Sequence, residues 1–251
     1  TRDITLYREL VPANLDYDTK LKSYVKSESF KPLFKYSPPQ VLAALSQGFG
    51  EDFIGSHKPM VRCETPAELN RPILPVLAVL TRAIYHNKLV RIQYRSIQSG
   101  LSEREIAPFV LVDNGLRWHV RAFDRNRQDF IDFVVTRIAD PVIVDGEPEE
   151  HESREADIQW NRIVEMNLVP HPNLRHPETI EMDYAMRDGG LKINVRAAVA
   201  GYVLRRWNVD CTKDHKLDGA EYHLWLSNPQ ALYGVKNLVL APGYEQKEYA
   251  E

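Results

Sequence analysis

One alternating run, RWHVRAFD at Arg117–Asp124, constrains this 251-residue chain more than any other stretch. Side chains change face at every strand residue, so Trp118, Val120 and Ala122 project one way and Arg117, His119 and Arg121 the other. Asp113-Asn114-Gly115 just before it is a turn signal, with glycine able to supply the positive φ that tight hairpins need. Val110–Val112 is the strand leading into that turn. A second turn at Arg125–Asp129 leads out into a strand at Phe130–Thr136. A small closed sheet would bury the Trp118 side and leave a basic side free for an anion; an ordinary solvated strand face has the same pattern.

Overall charge does not announce a nucleic-acid binder, since the net charge is −3. The distribution says more. Thr81–Arg137 carries ten Arg and Lys against six acids, and nine of the ten are Arg, whose planar fork suits phosphate. In Asp145–Asp157 the sign reverses, to seven acids and one Arg, which reads as a solvated acidic linker.

Taken in order, Asp3–Leu10 has helical spacing and Pro12 stops it. Leu15–Val25 reads as a short hairpin with Lys20, Lys22 and Lys26 near its tip and returning arm, so a helix followed at once by a basic hairpin could be the end of a winged helix-turn-helix. Pro39–Gln47 is expected to be helical, and Pro59–Pro75 an extended connector. Ile73–Asn87 predicts an amphipathic helix with Leu77, Leu80, Ala83 and Ile84 on its core side. Strands are expected at Lys88–Ser96, at Arg104–Val112 with Pro108 marking an edge or bulge, and at Ile138–Val144. One helix followed by closely spaced strands predicts a small SH3/Sm-like β-barrel. Tyr94 and Ser96 would carry its core face out to a polar mouth. Beyond the linker, Trp160–Val169 reads as a short helix. Thr179–Ala185 and Leu191–Val195 read as strands around an Asp188-Gly189-Gly190 turn, and Ala197–Trp207 as a helix. With strands at Val209–Lys213 and Tyr222–Leu226, the end of the chain forms a second small α+β unit.

The helix followed by IQYRS (Ile92–Ser96), SEREIAPF (Ser102–Phe109), RWHVRAFD and TRI (Thr136–Ile138) resembles the WYL family of bacterial regulators. The family's Trp-Tyr-Leu tripeptide is replaced by Trp118-His119-Val120. The opening DITLYREL…PANLDYDTKLKSYV…FKPLF is similar to the recognition-helix end and wing of the WYL repressors found beside phage-defence operons. The end of the chain resembles the WCX-type extension that often serves dimerisation. The resemblance implies an α+β chain: residues 1–34 as the end of a winged helix, 35–75 a linker, 76–145 the WYL barrel, 146–177 a second linker and 178–251 the dimerisation domain. Because the chain begins at Thr1, truncation within the winged helix is expected.

On that resemblance the protein is a homodimeric, cytoplasmic transcription factor, with Lys20 and Lys22 touching operator DNA. Its barrel senses a nucleotide or oligonucleotide through Tyr94, Ser96, Arg104, Trp118, His119, Arg121 and Arg137. The arginines would fork onto phosphates and the aromatics stack a base, while Ser96 and His119 orient them. Trp118 would serve either as core or as platform, and Arg137 either as ligand contact or as ion-pair partner for Asp124 or Asp132. An Sm-like single-strand binder without signalling is the alternative. An enzyme using His119 and Asp124 is disfavoured, because no nucleophile elbow, phosphate loop or paired acids are present. Cys63 and Cys211 have no zinc spacing, and His171 and His176 lack a partner ligand, so neither metal nor cofactor is expected. No apolar run is long enough to span a bilayer.

Overall fold

The computed structural model describes residues 2–35, 37–38, 40–42 and 69–245. Two units are described separately, residues 1–67 and 68–251.

In the first unit, α1 (Arg2–Leu10) precedes a hairpin of β1 (Leu15–Asp18) and β2 (Ser23–Lys26), paired Leu15 to Lys26. Asp18 Oδ1 accepts from the amides of Lys20 and Leu21 at 2.7 and 3.0 Å, which closes the turn and leaves Lys20 and Lys22 exposed at its tip. Buried Asn14 ties the pieces together: its Nδ2 donates to the Tyr7 hydroxyl at 2.9 Å and to the Lys31 carbonyl. Most of the expected Pro39–Gln47 helix and Pro59–Pro75 connector lies outside the described residues.

The second unit opens with α2 (Leu74–His86), whose Val76, Leu80 and Ala83 are buried. A five-stranded antiparallel sheet follows: β3 (Val90–Ser96), β4 (Gly100–Asp113), β5 (Trp118–Asp124), β6 (Asp129–Val134) and β7 (Ile138–Ile143), ordered β6-β5-β4-β3-β7. The register shifts between Pro108 and Val110, the bulge that proline's missing donor favours. Val90, Ile92, Tyr94, Ile106, Val120, Ala122 and Phe133 fill the curled interior under α2. The Tyr94 hydroxyl accepts from the Val134 amide at 3.3 Å, so β3 reaches across to the end of β6.

The C-terminal part has four strands ordered β10-β11-β8-β9: β8 (Ile163–Pro170), β9 (Leu191–Arg196), β10 (Val209–Asp210) and β11 (Leu224–Leu226). Its helices are α3 (Ile158–Asn161), α4 (Pro177–Asp183) and α5 (Ala197–Arg206), and its core joins Val164, Met166, Leu168, Leu204, Leu224 and Leu226. Here three expectations change. Trp160–Val169 is mostly strand, because Val164, Met166 and Leu168 alternate inward with period two. Thr179–Ala185 is not a strand: Pro177 opens a helix with Glu178 in its first turn, and Ile180 is its buried anchor. The Asp188-Gly189-Gly190 turn forms, but it closes a single Arg187–Gly190 bridge, and β9 pairs with β8 instead. No helix among the described residues is long and apolar enough to cross a membrane.

Candidate functional site

Both faces of β5 are buried from His119 onward, and this reshapes the expected basic face. Val120 and Ala122 enter the barrel core. On the other side Arg121 is only 5% exposed. Its Nη1 donates to Asp132 Oδ1 at 3.0 Å, and its Nε and Nη2 donate to Asp157 Oδ2 and Oδ1 at 2.5 and 3.1 Å. Asp132 is Arg121's direct cross-strand partner on β6. Asp157 comes from the acidic segment, where it also caps α3 by accepting from the Trp160 amide at 3.1 Å. Burial works against the Arg121 charge, but the two carboxylates outweigh it and raise its pKa further.

His119 lies beside this node, its ring 5.1 Å from that of Tyr202 on α5. The Tyr202 hydroxyl donates to Asp132 Oδ2 at 2.9 Å. His119 is 5% exposed, and among the described residues its Nδ1 has no hydrogen-bond partner. Burial pulls its pKa below the ordinary histidine range, against the opposing charge of Asp132. The sign of the resulting pH dependence follows. The unfolded chain takes up a proton near pH 6.5 that folded His119 refuses, so this contribution is lost as pH falls below that point. His119→Phe should therefore show a smaller loss of denaturant midpoint between pH 7 and pH 5 than the parent. The parent's excess is expected at about 1.4 kcal/mol for each pH unit separating the two titration points. Equal losses would refute a buried neutral imidazole.

The other candidates are distributed unevenly. Arg104 Nη1 pairs with buried Asp124 at 3.2 Å, and its Nε donates to Ser102 Oγ at 3.1 Å. Tyr94 is a core residue with its ring 4.9 Å from Phe133, rather than the rim of a mouth. Ser96 Oγ accepts from the amides of Gln98 and Ser99 at 3.2 and 3.4 Å, which fixes the β3–β4 turn. Trp118 is 44% exposed, because it pairs with Asp113 at the hairpin end, outside the buried layer. The same hairpin docks under α5: a Cβ on Gly115 would lie 2.6 Å from Arg206 Nε. Arg137 ends a short 3-10 turn (Val135–Arg137) and is half-buried. Ile138 pairs with Tyr94, which places Arg137 toward the Ser96 end of β3. Asp124 and Asp132 are engaged by Arg104 and Arg121.

The expected solvated linker is also built in. Glu152 and Asp157 are 3% and 1% exposed. Arg125 Nε and Nη2 grip Glu152 at 2.6 and 2.7 Å, and its Nη1 reaches Glu105 at 2.8 Å. Of the partners that sequence reasoning missed, Asp132 was available: once the Arg125–Asp129 turn is fixed, it falls opposite Arg121. Asp157 and Tyr202 carry no local signal. Among the described residues no group of three or more His, Cys, Asp and Glu side chains is arranged to hold a metal.

Comparison with known proteins follows the same three parts of the chain. Residues 1–46 match the BrxR transcriptional regulator winged helix-turn-helix domain, 75–143 the WYL domain, and 163–232 the BrxR C-terminal dimerization domain. That order defines a WYL-domain transcriptional regulator. A DNA-binding transcriptional repressor CapW from Escherichia coli (strain KTE188) is 31% identical over 244 residues, covering 93% of this chain and 79% of the relative. The CapW repressor of Pseudomonas aeruginosa is 32% identical over 219 residues, covering 83% and 71%. That of Stenotrophomonas maltophilia is 30% identical over 229 residues, covering 83% and 72%. The chain belongs to this BrxR- and CapW-type family of WYL-domain regulators.

Proposed function

We propose that the protein is a homodimeric repressor. It binds operator DNA through the winged helix, and its WYL barrel senses an anionic nucleotide or oligonucleotide and controls that binding. The observation that carries the DNA reading is α1 followed directly by a hairpin whose exposed tip presents Lys20 and Lys22, within the segment that matches a winged helix. Lysines at a wing tip reach phosphates, which position a protein on DNA without reading its sequence. The regulated genes would be a phage-defence operon, in keeping with the subgroup that the N-terminal sequence resembles. The ligand reading is supported by Arg121 with His119 beside it on the outer face of β5, and by Arg137 on the short turn that packs against that strand; Arg104, paired with the core residue Ile92, lies on the inner face with Asp124.

Gel-shift titration against the DNA upstream of the protein's own gene tests this. Lys20→Ala with Lys22→Ala should weaken binding about tenfold at physiological salt. The same pair should flatten the dependence of log K on log salt by about 2, the share of two phosphate contacts. An unchanged slope would remove the wing from the interface. Adding short oligonucleotides or cyclic nucleotides should shift operator affinity, because a ligand must distinguish DNA-competent from incompetent states to regulate. Sequence-tolerant binding of single strands, with no effect on operator DNA, would instead favour a barrel that does not signal.

A further inference from the structure

Arg121 presents a difficulty for any ligand that needs it. Its side chain is 6% exposed, and both edges of its guanidinium are already engaged by carboxylates. An external anion reaches it only if one carboxylate leaves. Asp132 is poorly placed to go: it sits in register on β6 and accepts from the Tyr202 hydroxyl. Asp157 sits between a 3-10 turn (Arg154–Ala156) and the four-residue α3, a segment with little regular structure of its own.

We propose that Asp157 is an internal competitor occupying the seat of the ligand's phosphate on Arg121, and that ligand binding expels it. This inference rests on the anion-sensing reading above. A phosphodiester carries the same single charge as the carboxylate it would replace, so the exchange leaves the charge of the buried node unchanged. Neighbouring His119 on the same face of β5 supports a seat built for exchange, since its buried Nδ1 makes no hydrogen bond within normal distance to any described residue. Expulsion is transmitted onward. Asp157 caps α3, and the end of α3 is gripped by the C-terminal sheet. Arg196 of β9 lies over the Trp160 ring at 4.7 Å, and its Nη1 donates to the Trp160 carbonyl at 2.6 Å. Losing the cap therefore loosens the joint between the barrel and the dimerisation domain, which is the displacement a regulator needs.

The test uses the full chain and a fluorescein-labelled single-stranded DNA octamer of mixed sequence, with inorganic phosphate as a second probe. Asp157→Asn keeps the shape and the oxygen that caps α3 but removes the competing charge. It should bind the octamer about tenfold more tightly than the parent, the weight of a modest charge-assisted hydrogen bond. Glu152→Gln removes a charge from the same segment at Arg125, away from the proposed seat, and should leave octamer affinity unchanged. In the parent, saturating octamer should speed hydrogen exchange at the amides of Trp160 and Asn161, the two that Asp157 holds. If the parent binds the octamer but Asp157→Asn is no tighter and those amides stay protected, the competitor is refuted while anion sensing stands. An equal gain in Glu152→Gln would also refute it, as a general charge effect. If neither octamer nor phosphate binds parent or variant, the sensing reading falls and the competitor falls with it.

Discussion

Arg121→Ala is expected to cost about 3–5 kcal/mol, the usual penalty for removing one member of a buried ion pair. The loss follows from what remains. Asp132 and Asp157, which the guanidinium holds at 3.0 and 2.5 Å, would face each other with their shared counter-charge gone. The Tyr202 hydroxyl still donates to Asp132, but one neutral donor does not balance two carboxylates. Removing Asp157 as well should recover part of the damage. Arg121→Ala with Asp157→Ala should be less destabilised than the sum of the single variants by about 2–3 kcal/mol, the upper range for groups sharing one network. Denaturant titration of the four proteins measures the cycle, and a single-variant cost below about 1 kcal/mol would refute a structural role. A consequence for function is that loss of DNA binding in Arg121→Ala cannot be assigned to loss of ligand. Arg137 is the cleaner probe, because its side chain makes no ion pair or hydrogen bond with another described residue.

Asp210→Ala should be comparably severe, at about 3–5 kcal/mol, and by a different route. Asp210 is fully buried and organises the loop between β10 and β11 by itself. Its Oδ1 accepts from the Thr212 amide and hydroxyl, both at 2.7 Å. Its Oδ2 accepts from the Leu217 amide at 3.0 Å and faces His171 Nε2 at 3.2 Å. His171 Nδ1 already accepts from the Asn173 amide, so Nε2 carries the proton toward Asp210. Burial pushes the Asp210 pKa up, but these donors outweigh it and leave it below the ordinary range. Stability from this group is therefore present at neutral pH and is lost as pH falls through that lowered value. Alanine would strand four donors. Asparagine keeps the shape but turns an N–H toward other donors, and should lose roughly half as much. Thermal unfolding should show a drop of about 10 °C for alanine, given about 2–4 °C per kcal/mol at this chain length. A drop under about 3 °C would mean that the loop does not depend on this carboxylate.

The barrel was legible because its residues obey short-range rules. The strand period in Val90–Ser96 and Arg117–Asp124, the turn at Asp113-Asn114-Gly115 and the bulge at Pro108 are all local, and each appears in the structure. In the C-terminal part local rules misled. Ile163–Leu168 alternates, yet Trp160–Val169 reads as one short helix; the strand is settled by pairing with β9 and β11, both distant in sequence. The candidate site was half legible. Alternation separated His119 and Arg121 from Val120 and Ala122, as found. It could not say that the polar side would be covered, because Tyr202 arrives from 70 residues beyond Asp132 and Asp157 from 36 beyond Arg121. The acidic composition of Asp145–Asp157 predicts solvation only when no cation waits nearby; here Arg121 and Arg125 do.

That acidic stretch also bears on where the molecule can be divided. Composition invites a cut near Val144, where basic strands give way to acids. A barrel severed there would keep two guanidiniums evolved to be neutralised by the missing piece, and would bare Phe109, whose ring meets Trp160 at 5.7 Å. The fragment that stands alone extends through α3 at the least, so the barrel half of this regulator carries the first part of its neighbour as an integral piece of its own wall.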